Sequence, residues 1–237
     1  MIIVTKKEFF DLLPDCYIRV KSLSYKENRS VELFRNTKLL KEIIIRTYPE
    51  PVFAYEELKN TIHPNLPEIY DTYTLDDAYI VIEEYVNGIS IADVLIGGKY
   101  TYPGAKKVLT EVCNALDILH SINIIHRDIK PENIVIAVDG TVKLVDLDAA
   151  RQYLQEKKND TVAIGTIGYA PPEQFGITQT TPAADIYALG VLLNVMLTGQ
   201  HPSLNIAKGK AGRIVSKCTM IDPEKRYPNV HKFVQAL

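Results

Sequence analysis

The stretch HRDIKPEN at residues 126–133 decides how this chain of 237 residues is interpreted. It places a carboxylate, an ammonium and an amide, at Asp128, Lys130 and Asn133, between two apolar runs. Polar groups held between apolar anchors are more informative than exposed ones and indicate a site. Phosphoryl transfer needs an oriented acceptor hydroxyl, neutralised phosphate charge and a metal bound through oxygen atoms. These three side chains can supply all of them.

A second carboxylate follows the stretch, at Asp146. Residues 141–145 have the composition of a strand, and Asp139-Gly140 before them is typical of a tight hairpin turn. The hairpin is expected to return Asp146 to the site as a second metal ligand.

The stretch at residues 126–133, with Asp146 behind it, resembles the catalytic loop of the eukaryotic-type serine/threonine protein kinases. This resemblance implies that Asp128 is the catalytic base and that Lys130 contacts the γ-phosphate of ATP. It also implies that Asn133 and Asp146 bind Mg²⁺, so the expected cofactors are ATP and Mg²⁺. A lysine followed by proline is the serine/threonine form of this loop.

Three later features resemble supporting parts of the same family. Residues 165–173 read GTIGYAPPE, which is similar to the end of a kinase activation segment. By this resemblance Thr166 bonds the aspartate and lysine of the catalytic loop, and Glu173 pairs with Arg226. Asp185 is expected to brace the catalytic loop.

The pattern along the chain predicts an α+β fold. Five strand-like segments lie at residues 17–20, 31–34, 43–45, 66–70 and 78–82, with one short helix at residues 52–62. After residue 87 the periodicity becomes helical. The resemblance implies a bilobal fold with an N-terminal extension (1–16), a small antiparallel-sheet N-lobe with one helix (17–85) and a larger, mainly helical C-lobe (86–237).

The expected ATP-binding half departs from the family pattern in its glycine-rich loop. The three glycine positions are occupied by Ser24, Lys26 and Arg29, and the loop has no glycine. A Cβ atom at these positions hinders the approach of backbone N–H groups to phosphate. Lys26 and Arg29 either compensate by reaching phosphate directly or are solvated loop tips.

The family's phosphate-gripping lysine is replaced by Arg46, whose planar fork differs in reach and shape from an ammonium. The glutamate that should pair with this cation falls on Ala54. We favour Glu57, which lies three residues further on the same helical face, while a shifted helix would select Glu56. A solvated helix face is an equally good interpretation of either glutamate.

The connector between the predicted lobes contains the residues expected to bind adenine. Glu84 and Val86 would offer a backbone carbonyl and a backbone amide, respectively. Glu83 occupies the gatekeeper position, where a buried carboxylate would need a partner.

Two further features concern the metal and the activation segment. The magnesium-binding tripeptide is Asp146-Leu147-Asp148 in place of Asp-Phe-Gly, which keeps the metal ligand and adds a carboxylate. Thr161 is either a phosphorylation site or an unmodified loop threonine.

The composition excludes several other classes of protein. Apolar residues make up 46% and charged residues 24%, and the net charge of −2 gives no support for a nucleic-acid partner. Three widely spaced cysteines suggest neither a disulfide framework nor a zinc site, which favours a cytoplasmic setting. There is no apolar run of roughly 18 residues, as a membrane span requires, and no signal-peptide core.

Three functions are compatible with this pattern. The leading hypothesis is an ATP- and Mg²⁺-dependent kinase that phosphorylates Ser/Thr hydroxyls of protein substrates, with room for a regulatory partner. The alternative is a pseudokinase that serves as a nucleotide-binding or scaffolding module, which the altered ATP-binding half favours. A small-molecule kinase is the third, and residues 165–173 count against it because that segment is a protein-substrate platform in the resembling family.

Overall fold

The computed structural model describes residues 5–11, 13, 17–26, 28–153, 166, 168–175 and 180–237. These residues form two compact units. The first, here called the sheet unit, comprises Met1–His63 with Pro67–Val86, and the second, the helical unit, comprises Pro64–Leu66 with Asn87–Leu237. An antiparallel sheet in one unit and mainly helices in the other confirm the predicted α+β class.

The sheet unit contains one five-stranded antiparallel sheet and two short helices. In the order β1-β2-β3-β5-β4, its strands are β1 (Tyr17–Lys26), β2 (Arg29–Asn36), β3 (Glu42–Tyr48), β5 (Tyr79–Glu84) and β4 (Ile69–Thr74). The helices are α1 (Lys6–Asp11) and α2 (Phe53–Leu58). Strand β4 starts at Ile69, later than the predicted residue 66. Helix α2 is shorter than the predicted helix at residues 52–62.

The two faces of the sheet differ in chemistry because side chains alternate along each strand. Ile43, Ile45 and Ile80 lie on one face, in an apolar cluster against which Phe9 and Phe10 of α1 also pack. Part of the predicted N-terminal extension thus covers the sheet. By the same alternation, Arg46 and Glu83 lie on the opposite face.

β1 and β2 form a hairpin that is paired up to the Lys26–Arg29 residue pair. Asn28 has the left-handed φ of 60° at the turn, a conformation that asparagine tolerates better than most residues. Ser24 and Arg29 therefore belong to the paired strands. The Arg29 guanidinium carbon lies 5.9 Å from the centroid of the Tyr48 ring.

The helical unit is built from five α-helices and two small sheets in its described residues. The helices are α3 (Ile91–Gly97), α4 (Tyr102–Ser121), α5 (Ala183–Thr198), α6 (Gly209–Cys218) and α7 (Val230–Ala236). The strands are β6 (Gly88–Ser90), β7 (Ile124–Ile125), β8 (Ile134–Ala137), β9 (Val142–Leu144) and β10 (Arg151–Gln152), in the orders β6-β8-β9 and β10-β7.

Helix α5 is the central element of this unit and is buried along most of its length. The sequence of α5 predicts this burial, because the helix has apolar residues on all of its faces. α5 approaches α6 so closely that a Cβ atom at Gly190 would lie 2.2 Å from Cβ of Cys218. Among the described residues, no helix has the length and apolar character that crossing a membrane requires.

Candidate active site

The carboxylate of Asp128 lies at the centre of a hydrogen-bonded cluster in the helical unit. It accepts hydrogen bonds from Lys130 Nζ at 2.7 Å, from Asn133 Nδ2 at 2.9 Å and from Thr166 Oγ1 at 2.5 Å. Lys130 Nζ also donates to Thr166 Oγ1 at 3.0 Å. The two contacts predicted for Thr166 are therefore confirmed, and the cluster joins the catalytic loop to the activation segment.

The local sequence explains why the catalytic loop holds this shape. Ile129 is fully buried and anchors the loop beside Asp128. Pro131 begins a single 3₁₀ turn that ends at Asn133, a position where its fixed φ and missing N–H are favourable. Asn133 Nδ2 then donates to the backbone carbonyl of Asp128 at 2.9 Å. One asparagine thus fixes both the backbone and the carboxylate of Asp128.

Asp185 of α5 braces the catalytic loop through hydrogen bonds, as predicted. Its carboxylate accepts hydrogen bonds from the backbone N–H of Arg127 at 2.9 Å and of His126 at 3.0 Å. His120 Nε2 lies 2.8 Å from the same carboxylate, a contact that the sequence did not indicate. Burial alone would raise the pKa of Asp185, but the hydrogen bonds from His120 and Arg127 outweigh burial and lower the pKa overall.

Replacing Asp185 with asparagine is expected to reduce the free energy of unfolding by about 1–3 kcal/mol at neutral pH, because a buried donor loses its acceptor. A lowered folded-state pKa stabilises the protein above the unfolded pKa of 3.8, and this contribution disappears as the pH falls through the folded pKa. The difference between wild type and Asp185→Asn should therefore shrink below pH 3.8. Urea unfolding from pH 3 to pH 7 measures it.

The control for this prediction is Asp117→Asn, which changes an aspartate on α4 whose side chain is 46% exposed and pairs with His231. Its effect on stability should be within about 0.5 kcal/mol, as is usual for surface substitutions. An Asp185→Asn protein as stable as this control would contradict the bracing role.

The β8–β9 hairpin brings Asp146 towards the catalytic loop. Gly140 turns the chain with a φ of 87°, as the Asp139-Gly140 pair predicts. Val145, next to Asp146 in the chain, donates its backbone N–H to the carbonyl of Asn133 at 2.9 Å. Asp146 itself has a φ of 70°, an uncommon backbone conformation that often marks a functional position.

Asn133 and Asp146 have the chemistry that Mg²⁺ requires. Since Nδ2 of Asn133 donates to Asp128, its oxygen Oδ1 points away from that carboxylate. A carboxamide oxygen and a carboxylate suit Mg²⁺, which keeps several waters and substrate phosphates as its other ligands. No group of three or more His, Cys, Asp or Glu side chains is arranged around a metal position in the described part of the chain.

Glu173 and Arg226 form the ion pair that the sequence predicted. Arg226 binds both carboxylate oxygens of Glu173, with Nη1 at 2.5 Å and Nη2 at 3.0 Å. Gln174, which the sequence analysis did not single out, donates to the carbonyl of Arg127 at 2.7 Å. Thr161, the candidate phosphorylation site, lies outside the described residues.

The sheet unit contains four of the residues predicted to bind nucleotide, and in it Arg46 contacts Glu83. Arg46 Nε donates to Glu83 Oε1 at 2.6 Å, and both side chains are less than 10% exposed. Glu57 lies exposed on α2, while Glu56 accepts a hydrogen bond from the hydroxyl of Tyr79 at 2.6 Å. The carboxylate observed beside Arg46 therefore comes from β5.

The connector begins at the end of β5. Glu84 is the last residue of that strand, and its backbone N–H donates to the carbonyl of Glu68 at 2.9 Å. Val86 follows two residues later. Their contacts with adenine stay a prediction, as does a nucleotide-binding role for Glu57.

Comparisons with known proteins agree with this geometry. The family described as "Protein kinase domain" matches residues 35–235. "Probable serine/threonine-protein kinase PknB" of Lactococcus lactis is 31% identical over 175 residues, covering 73% of this chain and 27% of that protein. "Serine/threonine-protein kinase pak-1" of Caenorhabditis elegans is 32% identical over 169 residues, covering 70% of this chain and 30% of that protein.

A yeast relative extends the similarity over more of the chain. "Serine/threonine-protein kinase CST20" of Candida albicans is 28% identical over 205 residues, covering 84% of this chain and 17% of that protein. The chain therefore spans less than a third of the length of these three relatives. Because the family match includes most of the chain and the catalytic cluster around Asp128, the chain belongs to the eukaryotic-type (Hanks-type) protein kinase family.

Proposed function

We propose that this chain is an active kinase that transfers the γ-phosphate of ATP to Ser/Thr hydroxyls of protein substrates. The observation that carries the proposal is the cluster in which Asp128 accepts hydrogen bonds from Lys130, Asn133 and Thr166. The three relatives are all named as serine/threonine-protein kinases, which supports the choice of acceptor. A regulatory partner and a cytoplasmic location are part of the same proposal.

Asp128 is assigned the role of base. Its carboxylate orients the acceptor hydroxyl and takes up the proton as the oxygen attacks the phosphorus. Lys130 neutralises charge on the transferred phosphoryl group, and its contact with Thr166 fixes where the ammonium lies. In this role Thr166 acts on the geometry of both groups rather than on the substrate.

Asn133 and Asp146 are assigned to Mg²⁺. When bound there, the ion would neutralise the charge that develops on the phosphate during transfer. Asn133 links this role to the base, because the amide whose oxygen would bind the metal donates a hydrogen bond from its nitrogen to Asp128. In the sheet unit, Arg46 is assigned to the phosphates of ATP, and Glu84 and Val86 to its adenine.

A pseudokinase is the second candidate, and the observation that favours it is the β1–β2 hairpin. The hairpin is paired up to Lys26 and Arg29, and the sequence has Ser24, Lys26 and Arg29 where the family has glycine. The same architecture would then serve as a nucleotide-binding or scaffolding module without transferring phosphate.

Phosphate transfer from labelled ATP to casein, and to the chain itself, separates the two candidates. We expect wild-type activity that requires Mg²⁺ and is abolished by EDTA. Asp146→Asn should raise the Mg²⁺ concentration for half-maximal rate at least about tenfold, since even residues that only support a metal ligand change metal affinity about 10–100-fold.

Asp139→Asn is the matched control, because Asp139 lies in the exposed turn of the same hairpin. It should keep the wild-type rate and Mg²⁺ dependence. A correctly folded wild-type protein that transfers no phosphate at any Mg²⁺ concentration would reject the kinase and favour the pseudokinase.

A further inference from the structure

The contact between Arg46 and Glu83 follows from the register of two neighbouring strands. In the antiparallel pair β3–β5, Arg46 lies opposite Val81 and Ile44 lies opposite Glu83. Arg46 and Glu83 are therefore diagonal neighbours on one face, within reach of long side chains. The hydrogen bond of 2.6 Å between Nε and Oε1 joins two strands of a single sheet.

Burial makes this contact a strong constraint on the arginine. The Arg46 side chain is 8% exposed and that of Glu83 is 6% exposed, so water competes little with their hydrogen bond. A buried charge without its partner is strongly unfavourable. The guanidinium is consequently held in one orientation by the carboxylate.

Helix α2 contributes to the surroundings of Arg46 through an aromatic ring. The Arg46 guanidinium carbon lies 5.9 Å from the centroid of the Tyr55 ring, within the range of a cation–π contact. Tyr55 is fully buried, and its hydroxyl lies 3.2 Å from that of Tyr48 on β3. The ring limits the space around the guanidinium, and the carboxylate of Glu83 on β5 accepts its hydrogen bond.

We propose that Glu83 is the positioning residue for Arg46, and that it takes the place of the helix glutamate expected from the family pattern. This role rests on the proposed function, in which Arg46 binds the phosphates of ATP. Glu83 fixes the guanidinium through the rigid β3–β5 pair.

The test compares the affinities of ATP and adenosine for the wild type and Glu83→Gln, measured by calorimetry on the full chain. Glutamine keeps the volume but removes the charge that orients the arginine. ATP affinity should fall about 10–100-fold, the range for a charge-assisted hydrogen bond. Adenosine has no phosphate, so its affinity should be nearly unchanged, whereas a general disturbance of the fold would weaken both ligands alike.

The matched control is Glu42→Gln, because Glu42 on β3 also pairs with an arginine of the neighbouring strand, Arg35 on β2, whose side chain is 46% exposed. Its ATP affinity should equal that of the wild type. If Glu83→Gln does not fold, Glu83→Asp replaces it in the test. The same selective fall in ATP affinity is expected, since aspartate keeps the charge but withdraws the carboxylate from Arg46.

Two outcomes overturn the proposal in distinguishable ways. ATP affinity that is unchanged or tighter in a folded Glu83 variant, with an active wild type, rejects only the positioning role. A wild type that neither binds ATP nor transfers phosphate rejects the proposed function, and the role of Glu83 with it.

Discussion

Replacing Asp128 with asparagine should lower the rate of phosphate transfer by about 10²–10⁴-fold, the usual contribution of a general base. Asparagine has the shape of aspartate and can still accept hydrogen bonds through its oxygen, but its amide cannot take up the proton of the acceptor hydroxyl. Nucleotide affinity should change much less than the rate. Initial rates with labelled ATP at saturating Mg²⁺ measure the effect.

Two further measurements make this result interpretable. Thermal unfolding shows whether the variant keeps its fold, since Lys130 and Thr166 lose a charged partner. Asp139→Asn again serves as the control and should keep the wild-type rate. An Asp128→Asn protein that is folded and transfers phosphate at the wild-type rate would exclude Asp128 as the base.

Replacing Arg226 with alanine should reduce the free energy of unfolding by about 3–5 kcal/mol, the cost of breaking a buried ion pair. The Arg226 side chain is fully buried and binds both oxygens of Glu173. It also donates to the backbone carbonyls of Met220 and Ala183 at 2.8 and 2.9 Å. Alanine leaves all of these acceptors without their donor.

Lys225→Ala is the control for this prediction, because Lys225 is the neighbouring cation but its side chain is 70% exposed. Its effect on urea unfolding should stay within about 0.5 kcal/mol. Similar urea midpoints for the two variants would mean that the Glu173–Arg226 pair does not hold the activation segment to the rest of the helical unit.

The catalytic cluster could be predicted because its main residues lie close together in the sequence. Asp128, Lys130 and Asn133 lie within one short loop, and their spacing alone brings the three groups together. Thr166 and Arg226 are distant in sequence, but each belongs to a segment that resembles a family motif. The contacts of both residues followed from that resemblance and are confirmed.

The partner of Arg46 could not be predicted in the same way. It depends on the register between β3 and β5, which are separated by 30 or so residues and whose alignment no short motif specifies. The sequence did show that a buried Glu83 would need a partner. It did not show that Arg46 would be that partner.

The sequence also did not predict where α2 ends, because tertiary contacts decide its length. The helix ends at Leu58, and the next residue, Lys59, forms an ion pair with Asp71 of β4 at 2.6 Å. A helix of this length is marginal by itself, so contacts with the rest of the unit decide where it stops.

The close packing of α5 against α6 has a consequence for thiol chemistry. Cys218, against which Gly190 packs, and Cys113 of α4 are both buried, and burial raises the pKa of each thiol. Since the thiolate is the reactive form, neither should be alkylated or oxidised while the helices stay together. Modification of either cysteine would therefore report the opening of the helical unit.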